Sequence, residues 1–261
     1  MNQHESFLNL HHQDSPLLLG NVWNAHSAQI FQDLGFKAVG TSSAAIASTL
    51  GYEDGENMPF DDLLRIVANI QSKIDIPLTV DIESGYASDV TQIVHNIENL
   101  CKLGVVGINL EDSVVGGKRE LVDAAEFAEK LLRIKANLRQ NDINVFINVR
   151  TDPYVVGLED AYAEAVKRSQ LYSESGVDGI FVPAIINESE IRGVVESTQL
   201  PINVMCMPDL PCFQTLGKLG VKRVSMGPFI YNDSISNMQD SIKTVVDEQS
   251  FEILFPKQLK E

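Results

Sequence analysis

The chain has 261 residues, 44% of them hydrophobic and 21% charged, a balance that suits a globular fold with a sizeable core and excludes a disordered or fibrous chain. Its 20 lysines and arginines against 36 aspartates and glutamates leave a formal charge of −16 at pH 7. Such a surface repels polyphosphate, so nucleic acid and anionic membranes are excluded as partners.

The first sixteen residues, MNQHESFLNLHHQDSP, are polar and lack the basic stretch and apolar run of a secretory signal. They read as a short extension in which His4, His11 and His12 are exposed, and the chain is expected to stay in the cytoplasm. From there β-branched runs recur: Leu17 to Val22, Lys37 to Thr41, Leu78 to Ile82, Val105 to Leu110, Asn144 to Val149, Gly179 to Val182, Ile202 to Cys206 and Lys222 to Met226. Each suits a buried strand. Amphipathic segments lie between them, for instance Leu63, Leu64, Val67 and Ile70, or Phe127, Leu131, Ile134 and Leu138, at helical spacing. Gly35, Gly104, Gly176 and Gly220 each end a helical segment four residues before a strand residue, and a left-handed helix cap is predicted at each.

Eight strands alternating with about eight helices predict a (β/α)8 TIM barrel, a single domain over residues 1–261 with a polar extension over about 1–16. No stretch approaches the roughly 20 apolar residues of a membrane helix. Cys101, Cys206 and Cys212 have no metal-ligand spacing and are expected as buried thiols in a reducing compartment.

In such a barrel the chemistry gathers at the carboxyl ends of the strands. After the second strand, Thr41-Ser42-Ser43-Ala44-Ala45 supplies small residues whose N–H groups can approach an anionic oxygen, or simply makes a tight turn. The run leads into the acidic loop Gly51-Tyr52-Glu53-Asp54-Gly55-Glu56, which turns Asp54 towards the barrel mouth. The third strand ends in Asp81-Ile82-Glu83-Ser84-Gly85-Tyr86, with two carboxylates on one side of an extended chain. The fourth ends in Asn109-Leu110-Glu111-Asp112. Singly, each acid suits a helix cap or a solvated loop; converging on one mouth, they repel one another unless a cation lies between them. Oxygen-only ligation selects a hard metal, Mg2+, with Mn2+ as its substitute. The fifth strand ends in Asn148-Val149-Arg150-Thr151-Asp152, where Arg150 offers a planar fork to a substrate anion or pairs structurally with Asp152 or Glu111. Together these groups predict a site for a small dianionic 2-oxo acid whose carbonyl the metal polarises towards an enolate.

At these motifs the sequence resembles the isocitrate lyase and phosphoenolpyruvate mutase superfamily, in its phosphonomutase-like branch, from Gly20-Asn21-Val22-Trp23-Asn24-Ala25 to Val224-Ser225-Met226-Gly227-Pro228. The resemblance implies a Mg2+-dependent enzyme that makes or breaks a C–C or P–C bond beside a metal-bound enolate. It implies Asp81 as the direct metal ligand, with Asp54, Glu83 and Glu111 assisting directly or through water. Ser42, Ser43 and Ala44 match the segment that holds the pyruvyl oxygens, Trp23 the aromatic wall, and Arg150 the clamp for the second anion. It also implies a homo-oligomer, a dimer of dimers, in which the last barrel helix, Asp233 to Val246, is exchanged between subunits.

The chain departs from that pattern in the loop after the fourth strand. Residues 113–120, Ser-Val-Val-Gly-Gly-Lys-Arg-Glu, carry neither the cysteine and histidine of the superfamily's lyases nor the Lys-Xaa-Asn of its mutases and hydrolases. Asp81-Ile82-Glu83 stands where many relatives have Asp-Xaa-Asp, and Asn24 replaces a more usual acid. Lys118, or Arg119 beside it, is expected to close over the substrate. His26 opens the first barrel helix, and His95 is a surface residue facing Glu98 and Asn99. The expected activity is that of a C–C lyase or decarboxylase, with Glu111, Lys118 and Arg150 at the reaction. The alternatives are a mutase or hydrolase of phosphonopyruvate-like substrates, and a metal- and oxyacid-binding protein without turnover.

Overall fold

A computed structural model describes residues 2–115 and 118–255. The chain forms α1 (Gln3–Leu10), β1 (Leu17–Val22), α2 (Ala25–Asp33), β2 (Val39–Thr41), α3 (Ser43–Leu50), α4 (Phe60–Gln71), β3 (Leu78–Asp81), α5 (Val90–Lys102) and β4 (Gly107–Glu111). A hairpin of β5 (Ser113–Val115) and β6 (Arg119–Leu121) follows, then α6 (Ala124–Gln140), β7 (Phe146–Arg150), α7 (Ala161–Ser173), β8 (Gly179–Val182), α8 (Glu188–Glu196), β9 (Ile202–Met205), α9 (Phe213–Leu219), β10 (Arg223–Ser225) and α10 (Phe229–Glu248). Among the described residues, eight parallel strands close into a barrel in the order β1-β10-β9-β8-β7-β4-β3-β2. This is the (β/α)8 barrel expected, and every predicted strand is present. The antiparallel β5–β6 pair is an addition, standing outside the barrel on the loop after β4.

The helices pack by their apolar faces. In α5, Ile93, Ile97 and Leu100 are fully buried, each burial worth about 1.5–3 kcal/mol, and Asp89 caps the helix by accepting from the Gln92 N–H. The helix-ending glycines take the left-handed conformation predicted: φ is 85° at Gly35, 95° at Gly104, 73° at Gly176 and 94° at Gly220.

Inside the barrel a polar belt lies below the mouth. Asn148 Nδ2 donates to Asn109 Oδ1 at 3.0 Å and to Asn203 Oδ1 at 3.1 Å, and Asn203 Nδ2 donates to Ser225 Oγ at 3.2 Å. Buried amides so paired avoid the cost of stranded donors.

The amino-terminal segment corrects the expectation of an exposed extension. Asn2 and Glu5 form a capping box that starts α1. The helix covers the end of the barrel at which the strands begin, and Gln3 Nε2 donates to the Asp75 carbonyl there. Phe7 is fully buried against Phe146, with ring centroids 5.4 Å apart. His11 is 1% exposed, stacks on Phe146 and donates from Nδ1 to the Phe7 carbonyl at 2.8 Å. Burial, with Arg223 nearby, lowers its pKa to about 3, so the ring is neutral. With so few apolar residues in eight, the segment reads as polar, although two of its side chains are inserted into the molecule.

The cysteines also differ from expectation: Cys101 is half-buried, while Cys206 and Cys212 are exposed. Cys206 follows the last residue of β9 and Cys212 is the residue before α9, so both lie in the connection rather than in the barrel wall. Among the described residues no helix is long and apolar enough to cross a membrane.

Candidate active site

The carboxyl ends of all eight barrel strands surround a cavity of about 280 Å3, with Phe181 of β8 and Met205 of β9 in its wall. Its floor is set by Asn21, whose Oδ1 accepts from the N–H groups of Met226 and Gly227 at 2.8 and 2.9 Å, and whose Nδ2 donates to the Thr41 carbonyl. One side chain thus ties β1 to the last residue of β2 and to the turn after β10. Ser42, Ser43 and Ala44 form one wall, at the start of α3. Ser42 Oγ caps that helix by accepting from Ala45 N, and Ser43 Oγ donates to Asp81 Oδ2 at 3.0 Å.

Asp81 ends β3 and is 9% exposed, and burial raises its proton affinity. The extended run expected to continue through Glu83 stops there. Glu83 is left-handed, with φ of 51°, and Gly85 N donates back to the Ile82 carbonyl at 2.8 Å, so the chain turns under the mouth. A non-glycine residue in that conformation costs about 1–2 kcal/mol, strain of the kind held at functional sites. The turn is pinned from outside by Glu56, whose Oε1 accepts from Ser84 Oγ and Tyr86 N, and from inside by the Glu111 N–H donating to the Glu83 carbonyl at 2.7 Å. Glu83 is 4% exposed; burial, then the charges of Asp81, Asp54 and Glu111, push it up to about 8. Its Oε1 accepts from the Tyr86 hydroxyl, and its Oε2 is buried without a hydrogen-bond partner among the described residues.

Glu111 and Asp152 are gripped by two arginines. Arg150 reaches Asp152 through Nε at 2.6 Å and Nη2 at 3.0 Å, and its Nη1 lies 3.1 Å from Glu111 Oε2. Arg119, from the first position of β6, places Nη1 against Glu111 Oε1, 2.7 Å from Ser113 Oγ and 3.0 Å from Asp152 Oδ2. Its Nη2 is 3.9 Å from Asp54, which is otherwise largely exposed. Burial still holds Glu111 up at about 7, against the pull of both guanidinium groups. Behind this layer, Asp112 accepts from Thr151 Oγ1, Arg168 Nη1, the Tyr172 hydroxyl and Asp152 N. That fully buried carboxylate fixes the turn that carries Asp152.

The acids therefore meet a cation, but a guanidinium pair serves Glu111 and Asp152. Among the described residues no three His, Cys, Asp or Glu side chains already converge as a metal cage. Asp81 and Glu83 are the acids with unmet demand, buried, reluctant to ionise and with one oxygen orphaned. An all-oxygen pair of that kind fits a hard divalent ion that keeps waters or substrate oxygens as its remaining ligands.

The sequence model for phosphoenolpyruvate phosphomutase matches residues 7–246. The chain belongs to that family. It is 33% identical to a candidate phosphonomutase from Burkholderia cenocepacia J2315, whose crystal structure superposes with a TM-score of 0.86 over 92% of this chain and 99% of that one. An uncharacterised protein of Mycobacterium tuberculosis H37Rv is 31% identical over 93% of this chain and 89% of its own. The 2-methylisocitrate lyase of Escherichia coli K12 is 29% identical over 78% and 70%. Relatives in the superfamily also include a phosphoenolpyruvate phosphomutase and an oxaloacetate decarboxylase, so its members are lyases, decarboxylases and mutases.

Of the residues that the phosphomutase resemblance singles out, Ser42, Ser43, Ala44, Asp54, Asp81 and Arg150 line the cavity. Glu83 and Glu111 lie beside it, lining a smaller recess under the hairpin. Trp23 stands apart, edge-on to Tyr231 at 5.2 Å, and lines an apolar pocket with Ile30, Phe36 and Ile230. Lys118 is exposed and not part of the lining, whereas Arg119 is. His26 is exposed near the start of α2, and His95 accompanies Glu98 and Asn99 on the surface. Reading strand ends alone misses the anchoring roles of Asn21 and Glu56. A polar residue inside the apolar run Leu17 to Val22 is the one signal that marks Asn21.

Proposed function

We propose that the protein is a Mg2+-dependent lyase or decarboxylase acting on a small 2-oxo dicarboxylate. The observation that carries this reading is the composition of the cavity wall. The buried Asp81, the more exposed Asp54, a helix start and two arginines face one space, with Glu83 in the recess beside it, while no histidine or cysteine lines the cavity among the described residues. Loss of carbon dioxide from a 2-oxo acid asks chiefly for stabilisation of enolate charge and only later for a proton, which water can supply. A retro-aldol cleavage asks in addition for a placed acid and base.

Asp81 and Glu83 would hold the ion, and when bound it would supply Lewis-acid polarisation of the 2-oxo group. The residues of the chain do the rest. The serine pair and the start of α3 orient the carboxylate next to that carbonyl through N–H groups. Asp152 and Glu111 lock the Arg150 fork in place, and the hairpin excludes water from above. The family's phosphomutases keep phosphonopyruvate chemistry as the second reading, and binding without turnover as the third. As in its resemblance to the superfamily, the protein is proposed to work as a dimer of dimers.

The test is a substrate panel of oxaloacetate, alkylated malates, methylisocitrate and phosphonopyruvate, assayed for pyruvate release with and without Mg2+. Release from oxaloacetate that EDTA abolishes is expected, and metal-independent turnover would overturn the mechanism. Arg150→Ala is expected to weaken dianion binding about 100-fold, because Glu111 and Asp152 lose the guanidinium that offsets their charge beside the cavity.

A further inference from the structure

Resting on the reading of the cavity as a site for a 2-oxo dicarboxylate, we propose that Arg119 is the residue that binds the substrate's distal carboxylate, with Arg150 fixed beside it as a charged support. The two guanidinium groups are not equivalent. Every nitrogen of Arg150 already faces an acid: Nε and Nη2 face Asp152, and Nη1 faces Glu111. Arg119 uses Nη1 alone, to Glu111, Ser113 and Asp152. Its Nε has no hydrogen-bond partner among the described residues, and its Nη2 has only Asp54 at 3.9 Å. The Nε–Nη2 edge is the one that receives a carboxylate in a two-bond fork, and on Arg119 that edge is available, on a side chain 18% exposed that lines the cavity.

Geometry separates the two ends of the ligand. Ser42, Ser43 and Asp81 stand at the ends of β2 and β3, while Arg119 descends from the hairpin over β4 and β7. A ligand with one anionic end needs only the first set, and one with a second carboxylate reaches the hairpin. Arg119 also docks that hairpin through the acids below it, so a substrate able to take up its free edge is sensed by the segment that covers the mouth. Lys118, its neighbour in sequence, is exposed and contributes nothing to this wall.

The experiment compares oxalate, which has no distal carboxylate, with 3,3-difluorooxaloacetate, which does, by titration calorimetry in saturating Mg2+. Wild type, Arg119→Ala and Arg119→Lys are used, each first checked by thermal melting. Arg119→Ala is expected to bind oxalate within about threefold of wild type and the difluoro acid about 30-fold more weakly, since one charge-assisted fork is lost. Arg119→Lys retains a charge to dock the hairpin but not the planar edge, so it is expected to remain about tenfold weak for the longer ligand alone. Should Arg119→Ala fail to fold, the lysine variant carries the comparison. Equal losses for both ligands, or none for the longer one, would overturn the assignment to Arg119. Wild-type protein that binds neither ligand would overturn the reading of the cavity itself.

Discussion

Glu111 and Asp152 each meet two guanidinium groups, and that sharing explains how acids so deeply placed are tolerated: a buried carboxylate is stable only when paired and hydrogen-bonded. Asp81 and Glu83 accept from the hydroxyls of Ser43 and Tyr86 but have no ion pair with a guanidinium among the described residues, which is why demand for a further cation falls on them. His11 obeys the same rule in reverse, kept neutral at the far end of the barrel by burial and by the charge of Arg223. Its pKa is about 3 when folded against an ordinary 6.5. Between those values the unfolded chain takes up a proton and the native one does not, so stability falls as pH drops through that window. The slope approaches about 1.4 kcal/mol per pH unit for one group. His11→Asn removes this contribution, and urea unfolding at pH 7 and pH 5 is expected to show the gap between wild type and variant narrowing at the lower pH.

At the scale of elements, α10 stands out because none of its residues is buried, while Met238, Ile242 and Val246 are 51, 57 and 67% exposed. They recur every four residues and make one apolar stripe. A second copy is proposed to cover it. Light scattering is expected to report an oligomer for the wild type, and Met238→Glu with Ile242→Glu to lower its mass; a wild-type monomer would dismiss the idea. The barrel strands were legible because their apolar runs have no other physical use, and the helix ends because left-handed glycine leaves a regular mark. The hairpin was not, since Val114 and Val115 are short, exposed and flanked by glycines, and what orders them lies far off in sequence. Arg119 holds the acids below, and the Gly55 backbone lies so close that a Cβ there would come within 2.7 Å of Val115. For the same reason the strand ends revealed Asp81, Glu83, Glu111 and Arg150 as candidates, but not which arginine had an edge to spare. That depends on Asp152 and Glu111 converging from two strands.

Over the whole molecule, a formal charge of −16 surrounds a cavity proposed to admit dianions. Arriving substrate is repelled until it nears the arginines, and salt screens that repulsion over about 10 Å at 0.1 M. At saturating Mg2+, KM for a dicarboxylate is therefore expected to fall as ionic strength rises from about 10 to 150 mM, with kcat unchanged. A KM that rises instead would mean that the local field of the arginines already dominates at long range. The barrel also has two unlike ends. α1 closes the one where Gln3 meets Asp75, and the cavity opens at the other. A linker placed ahead of residue 2 and fixed to a sensor chip would thus hold each molecule mouth outward, leaving the hairpin free to meet ligand in the flow.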